Sequence, residues 1–268
     1  MIPLRDNIAT RRSPVINQLL IVLTIGIYIL QVSDPDDKLT LRFALIPARL
    51  HNPDRPVVIE SQREVHTALG VQQIRTQEQV PPSGIPTWLT PTSSIFLHGS
   101  LIHLLSNLWF LWIFGDNVED RLGRFRYLLF YLGGGTLAGF CHAAIDPGST
   151  LPTIGASGAV AAVMGGYLCF FPHANIFTLV PLVFYLHLMV IPAPVFLGFW
   201  FLMQLMQGTF TIGLAQATSV AWWAHIGGFV GGFSFALLCR WFAHPTSGGV
   251  LTRPGTERRF SRVASPWD

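Results

Sequence analysis

The stretch STLPTIGASGAVAAVMGGYLCFF, residues 149–171, decides how the chain is interpreted. It combines glycine, alanine and large apolar residues without a charged side chain, a composition typical of a membrane-spanning helix. Ser157 stands near its start, between Gly155 and Gly158. A hydroxyl flanked by small residues at the end of an apolar span is either a packing residue or a reactive group.

The composition of the whole chain indicates an integral membrane protein. Of its 268 residues 50% are hydrophobic and 12% are charged, and the mean hydropathy is +0.46. Soluble domains carry about 25% charged residues. The cysteines lie in apolar stretches, so we expect neither a disulfide framework nor a zinc site. The first apolar run lacks a cleavage site and is expected to be a retained span.

The apolar runs predict an all-α membrane protein, a bundle of six transmembrane helices. The expected spans are 15–32, 100–115, 126–145, 153–171, 193–208 and 219–242. Ser100 is expected to cap the second of these helices. A further apolar run, 175–192, contains Pro181 and several β-branched residues, so we expect an interfacial segment on the inner face instead of a seventh span.

The positions of the basic residues predict the orientation. Most arginines fall on the side that holds the N-terminus, so both termini are expected to be cytoplasmic. Residues 1–14 are then a cytoplasmic tail, 15–242 the membrane domain with an extended outer loop at 33–92, and 243–268 a basic, disordered tail. Within the outer loop, 62–79 fits a short amphipathic helix.

Few polar side chains lie inside the predicted spans, and these are candidates for function. Ser157 and His225 each lie close to the outer end of a span. His103 and Asn107 are four residues apart and therefore share one face of the second span. We expect the four side chains to meet at one depth near the outer surface, where water can reach them.

This combination of residues suits nucleophilic attack on a carbonyl group. Histidine can remove the proton of a serine hydroxyl, which activates the oxygen as a nucleophile. We therefore predict a dyad of Ser157 as nucleophile and His225 as general base. Side-chain donors can stabilise the oxyanion that forms, a role that suits His103 and Asn107. Gly155 would let backbone N–H groups approach the same oxyanion.

Small residues in the last span predict how the helix that carries His225 packs against the helix that carries Ser157. Gly228 and Gly232 follow His225 at positions that share roughly its face of the helix. They can pack closely on Gly158 and Ala162 of the fourth span. This contact would bring the histidine within reach of the serine.

Structural interpretations of the same residues stay open. A serine in a Gly/Ala-rich span is often a packing residue, and intramembrane histidine or asparagine can bridge helices. His142 and His187 are interpreted as interface or packing residues, and His98 as a brace for the loop that enters the second span. The span interiors carry no carboxylate, which argues against a channel or an ion-coupled transporter.

Three segments, taken in order, resemble the rhomboid intramembrane serine proteases. They are HGSLIHLLSNLWFLWIFGDNVEDRLG (98–123), GASGA (155–159) and AHIGGFVGG (224–232). The resemblance covers about 14–242 and includes FPHANIFTLVP and IPAPVFLGFWFLMQ before the last helix. It implies a six-helix bundle with a water-filled cavity open to the outer side.

The resemblance also assigns roles to residues. It implies Ser157 as nucleophile, His225 as base, and His103 with Asn107 as oxyanion stabilisers. The residues that it implies as structural support are Gly155, Gly228, Gly232 and Glu119. Gly158 and His98 are predicted as structural support from the helix packing and the loop position given above. It further implies cleavage of transmembrane protein substrates near the outer membrane boundary, with the lipid bilayer as a partner, no metal or cofactor and no nucleic acid. We expect the membrane to be a bacterial plasma membrane.

Two features depart from the family pattern, and one is that the first loop has no Trp-Arg pair, which some members carry. Many members carry an aromatic residue four positions after the nucleophile, which stacks on the base, whereas this chain has Ala161. Either the base is held less tightly or another ring replaces the missing one. A second hypothesis is a non-proteolytic, rhomboid-like protein that binds membrane clients, although such relatives usually lack the serine or the histidine.

Overall fold

The computed structural model describes residues 1–67, 70–182, 185–211 and 220–242. The helices of these segments are α1 (Val15–Val32), α2 (Lys38–Phe43), α3 (Pro47–His51), α4 (Thr90–Ser93), α5 (Leu101–Leu122), α6 (Arg124–Ile145), α7 (Ser157–Phe170), α8 (Ala193–Thr211) and α9 (Trp222–Phe242). The strands are β1 (Ile2–Asp6), β2 (Val58–Thr67), β3 (Gly70–Gln79), β4 (Asn175–Leu182) and β5 (Tyr185–Pro192). Single 3-10 turns, Thr87–Leu89 and Ser94–Phe96, flank α4.

The central element is α7, which packs against α5, α6 and α9. All residues from Gly158 to Tyr167 are buried, which is possible because small side chains let the neighbouring helices approach on every side. With 14 residues, α7 is about 21 Å long, shorter than the ~30 Å hydrocarbon core of a bilayer.

Each predicted span contains one long helix, and the protein is mostly helical. Among the described residues, three helices are long and apolar enough to cross a membrane: Val15–Val32, Arg124–Ile145 and Trp222–Trp241. A fourth results when Thr87–Phe96 and Leu101–Leu122, which meet at 83°, are counted together. The expectation of an integral, helical membrane protein is therefore confirmed.

The structure corrects the all-α prediction in two places. Residues 62–79 are not an amphipathic helix, since β2 and β3 pair there as antiparallel strands, with Val58 opposite Gln79 and Thr67 opposite Gly70. The polar residues of this segment favour helix weakly, and cross-strand pairing of the backbone overrides that preference.

The second correction concerns the run 175–192, whose described residues, 175–182 and 185–192, form strands. Strands β4 and β5 pair antiparallel, and β1 adds to β4 to give the order β1-β4-β5. Pro181 lies close to the end of β4, where a missing N–H disturbs the ladder least. Residues 2–6, assigned to a tail in the sequence analysis, are therefore part of a sheet, while the expected tail at 243–268 lies outside the described residues.

Polar contacts hold β1 against the helices. Asp6 Oδ2 accepts hydrogen bonds from Asn117 Nδ2 at 2.8 Å and from the Tyr167 hydroxyl at 2.5 Å. Trp109 Nε1 donates to the carbonyl of Pro3 at 2.6 Å. The first strand is thus tied to both α5 and α7.

The N-terminus of α1 is capped by a residue of α5. The Glu119 carboxylate accepts from the backbone N–H groups of Ile16 at 3.1 Å and Asn17 at 2.7 Å. These N–H groups have no partner inside their own helix, and the negative charge is favourable at a helix N-terminus. Glu119 therefore joins α1 to α5 at the end of the bundle opposite Ser157.

Arg49 holds together the connection between α1 and α5. This side chain is 5% exposed, and its guanidinium donates to the carbonyls of Leu41, Ala44 and Pro81. The described part of the segment 33–92 is therefore more than a polar loop, since a buried cation joins Leu41, Ala44 and Pro81 within it.

Candidate active site

Ser157 is the first residue of α7, and the loop before it is held by hydrogen bonds. The N–H of Gly155 donates to the carbonyl of Ser94 at 2.9 Å. The N–H of Ala156 donates to Nε2 of His98 at 3.3 Å. Gly155 has φ +126°, a conformation that favours glycine. His98 thus contacts the loop directly, as a brace would.

His225, the fourth residue of α9, reaches Ser157. Its Nε2 lies 2.8 Å from Oγ of Ser157, within hydrogen-bond distance. Both residues lie in the first turn of their helices, so the positive ends of two helix dipoles point toward the pair. The structure therefore brings together the two residues predicted as nucleophile and base.

Glycines of α9 allow this approach. A Cβ atom on Gly228 would collide with the carbonyl oxygen of Gly158, and one on Gly232 with that of Ala162. These are the pairs that the sequence spacing indicated. Gly158 itself faces α6 more closely, since its Cβ would lie 2.6 Å from Cβ of Ala138.

Three residues around His225 were missed in the sequence analysis. The carbonyl oxygen Oε1 of Gln204 in α8 lies 2.7 Å from Nδ1 of His225. The rings of Trp200 and Trp222 lie with their centroids 6.0 Å from that of His225. Gln204 carried a usable signal, because a polar side chain within an apolar helix is a candidate for function.

Trp200 and Trp222 lie beside His225, where many family members have an aromatic residue at the position of Ala161. Ala161 is fully buried, and a Cβ on Gly228 would lie 3.3 Å from its Cβ. The close contact of α7 and α9 leaves no room for a ring on α7 at this level. The rings beside His225 come from α8 and α9 instead.

His103 and Asn107 lie at the same end of the bundle, in the first two turns of α5. Ser100 caps this helix, as predicted, since its side chain accepts from the N–H of His103 at 3.1 Å. The His103 ring packs over Gly155 and against the ring of His98, at a centroid distance of 5.2 Å. Asn107 Nδ2 donates to the carbonyl of His103 at 3.0 Å, so its amide is turned toward its own helix.

A cavity of about 1420 Å³ opens beside Ser157. Its walls come from α5, α7, α8, α9, the last turn of α6 and the loop between α6 and α7. Polar residues in these walls include Ser106, Asn107, His103, His142, Gln204 and His225. His142, interpreted from sequence as a packing residue, thus faces the cavity, while His187 is exposed on β5. Within the described part of the chain, no group of three or more His, Cys, Asp or Glu is arranged to hold a metal ion.

The fold and this site define a helical membrane protein with a serine–histidine pair in the wall of a cavity. The family model described as the Rhomboid domain matches residues 86–242, more than half of the chain. The chain belongs to the rhomboid family.

Comparison with curated proteins gives shorter matches. Presenilin-associated rhomboid-like protein A, mitochondrial, from Danio rerio is 33% identical over 85 residues, which are 31% of this chain and 22% of that protein. Rhomboid-like protein 11, chloroplastic, from Arabidopsis thaliana is 40% identical over 75 residues, 28% of this chain and 26% of that protein. The human presenilin-associated rhomboid-like protein, mitochondrial, is 29% identical over 85 residues, again 31% and 22%. The chain thus spans about a quarter or less of these relatives.

Proposed function

We propose that the protein is an intramembrane serine endopeptidase that hydrolyses peptide bonds in or near transmembrane segments of other membrane proteins. The observation that carries this proposal is the 2.8 Å contact between Oγ of Ser157 and Nε2 of His225 at the wall of a cavity. A serine is a weak nucleophile without an adjacent base, and this geometry supplies one.

The reaction proceeds in two halves. His225 takes the hydroxyl proton at Nε2 while Oγ of Ser157 attacks the scissile carbonyl carbon. The resulting imidazolium gives the proton to the leaving amine, the C–N bond breaks, and the acyl group stays on Ser157. A water molecule then attacks the carbonyl carbon of the ester while His225 takes one of its protons. The bond between this carbon and Oγ of Ser157 breaks, the imidazolium returns the proton to Oγ, and the second product leaves as a carboxylic acid.

Oxyanion stabilisation is assigned to the groups around the nucleophile. The N–H of Ser157 stands at the start of α7, where backbone donors have no intrahelical acceptor. His103 lies over Gly155 beside it, and Asn107 borders the cavity one turn further on. A rotation of the Asn107 side chain away from the His103 carbonyl brings its amide to a substrate in the cavity.

The proposal includes the arrangement in the membrane. Six spans, formed by α1 and α5–α9, leave both termini in the cytoplasm and open the cavity toward the outer side, in accord with the distribution of arginines. Residues 15–242 then form the membrane protease domain. The bacterial plasma membrane stays a prediction from the sequence alone.

Covalent labelling tests the proposal. Detergent-solubilised wild type is treated with a fluorophosphonate probe beside Ser157→Ala, His225→Ala and the control Ser234→Ala, an exposed serine on the same helix as His225. We expect labelling of wild type and Ser234→Ala only, and cleavage of a reporter transmembrane substrate by the same two. Folded wild-type protein that is never labelled, does not cleave and still captures the reporter would contradict the protease and favour the client-binding hypothesis.

A further inference from the structure

We propose that Gln204 is a positioning residue that fixes the tautomer and the orientation of the His225 ring, an inference that rests on the proposed function. The two side chains come from different helices, α8 and α9, and join Oε1 to Nδ1 at 2.7 Å. Gln204 is 8% exposed, so this contact is sheltered from the bulk solvent.

The contact with the amide oxygen of Gln204 favours one tautomer of His225. An amide oxygen only accepts hydrogen bonds, so Nδ1 of His225 must carry the hydrogen in this contact. A neutral imidazole has one N–H. Its Nε2 then presents a lone pair to Oγ of Ser157, 2.8 Å away, which is the form that a general base needs. The other tautomer would donate from Nε2 and could not accept the serine proton.

A second observation points to α8 as the support for the ring. Trp200 precedes Gln204 by four residues and therefore lies on the same face of α8. Its ring is tilted by 36° against that of His225 at a centroid distance of 6.0 Å. One helix thus contributes both a ring beside the imidazole and an acceptor for its N–H, and three side chains from α8, α9 and α7 form one hydrogen-bonded chain.

The choice of an amide follows from the surroundings. An ionised carboxylate is costly inside a membrane protein unless it is paired. Glutamine gives the same directional acceptor without a charge. In a serine–histidine–aspartate triad, the aspartate orients the histidine and its charge stabilises the imidazolium. Gln204 orients the histidine in the same way but contributes no charge.

Three variants separate this role from simple filling of space. Gln204→Met keeps the length of the side chain and removes the acceptor, whereas Gln204→Glu keeps an acceptor. Gln207→Met is the matched control, since it makes the same replacement three residues on, at an exposed position of α8. Each variant is purified as the full chain.

Two readouts are needed. The rate of fluorophosphonate labelling reports the reactivity of Ser157, and ¹⁵N NMR of histidine-labelled protein, assigned with His225→Ala, reports which ring nitrogen of His225 carries the hydrogen. For Gln204→Met we expect labelling about 10- to 100-fold slower, the range for loss of one buried hydrogen bond, together with loss of the pure Nδ1–H state. In Gln204→Met we also expect kcat for a reporter substrate to fall by a larger factor than KM rises. We expect Gln204→Glu to restore labelling and Gln207→Met to match wild type.

The outcomes separate this inference from the proposed function. If Gln204→Met labels at the wild-type rate and keeps the Nδ1–H tautomer, the positioning role is wrong and the protease proposal stands. Wild type that is never labelled, but whose His225 tautomer changes with Gln204→Met, supports the positioning role and contradicts the protease. Equal losses in Gln204→Met and Gln207→Met would overturn the inference, because they would reflect damage to α8.

Discussion

The imidazole ring of His103 occupies the space that a side chain at residue 155 would need. A Cβ atom on Gly155 would lie 2.6 Å from Cε1 and 2.8 Å from Nε2 of His103. The backbone of Gly155 also has φ +126°, where side chains are strained. The loop before Ser157 and the ring beside it therefore depend on one another, and only glycine satisfies both.

Gly155→Ala is expected to reduce activity by more than its effect on stability would explain. The added methyl group must displace His103 or the loop, and the backbone strain costs about 1–3 kcal/mol. We expect fluorophosphonate labelling to fall by about tenfold or more, with a lower unfolding temperature. Gly148→Ala is the control, because a Cβ there meets nothing within 4 Å. Equal labelling of the two variants would contradict the argument.

Gly228→Ala is expected to destabilise the protein and to separate His225 from Ser157. Alanine is the better helix former by about 1 kcal/mol, but its Cβ would collide with the carbonyl of Gly158, and overpacking costs about 1–3 kcal/mol. Thermal unfolding and labelling should both fall. The comparison is Gly133→Ala in α6, where a Cβ meets nothing within 4 Å. There the helix preference acts alone, and stability should rise.

Glu119→Gln is expected to loosen α1. Glutamine has one acceptor oxygen, so one of the N–H groups of Ile16 and Asn17 loses its partner and the charge at the helix N-terminus disappears. We expect a loss of about 1–3 kcal/mol in the free energy of unfolding, measured by thermal or denaturant unfolding in detergent. Asp120→Asn is the milder comparison, since its half-buried carboxylate accepts a single described hydrogen bond, from the backbone N–H of Arg11 at 3.1 Å. A loss as large in Asp120→Asn would argue against a special role of the cap.

Asp6→Asn is expected to remove a dependence of stability on pH. Burial raises the pKa of Asp6 above its ordinary 3.8, although hydrogen bonds from Tyr167 and the Ile8 backbone lower it. Because the folded pKa is the higher one, the contribution of Asp6 to stability is complete below the unfolded pKa and is lost as pH rises through the folded pKa. The unfolding temperature of wild type minus that of Asp6→Asn should therefore decrease from about pH 4 to pH 8. A difference that stays constant or increases would be inconsistent with this sign.

The parts of the site that could be predicted are those that a single helix encodes. Ser157 and His225 lie in the first turns of two apolar helices, so sequence spacing alone indicated one depth for both. The contacts of Gly228 and Gly232 followed from their place on the face of His225. Helix α5 runs to Leu122, beyond the span predicted at 100–115, because Glu119 and its polar neighbours find partners inside the protein.

The parts that were missed depend on contacts between distant segments. No spacing relates Gln204 to His225, since the relative rotation of α8 and α9 sets their distance. The β1–β4 pair joins residues about 170 positions apart in the chain. A run such as 175–192 is apolar enough for either helix or strand. Pairing with β1 favours the strand, and β1 lies in residues 1–14, which the sequence predicted to be a tail.

The pairing of β1 with β4 has a consequence for biosynthesis. The N–H of Asn175 bonds the side chain of Asn7, 168 positions earlier. At about 5–20 residues per second of chain elongation, the first strand leaves the ribosome roughly 10–30 s before its partner exists. During that interval α1, α5 and α6 can enter the bilayer, while β1 lacks its backbone hydrogen bonds to β4. Pairing of β1 with β4 is thus a late event in the synthesis of the chain. A nascent chain released before β4 is made would carry β1 as an unpaired strand.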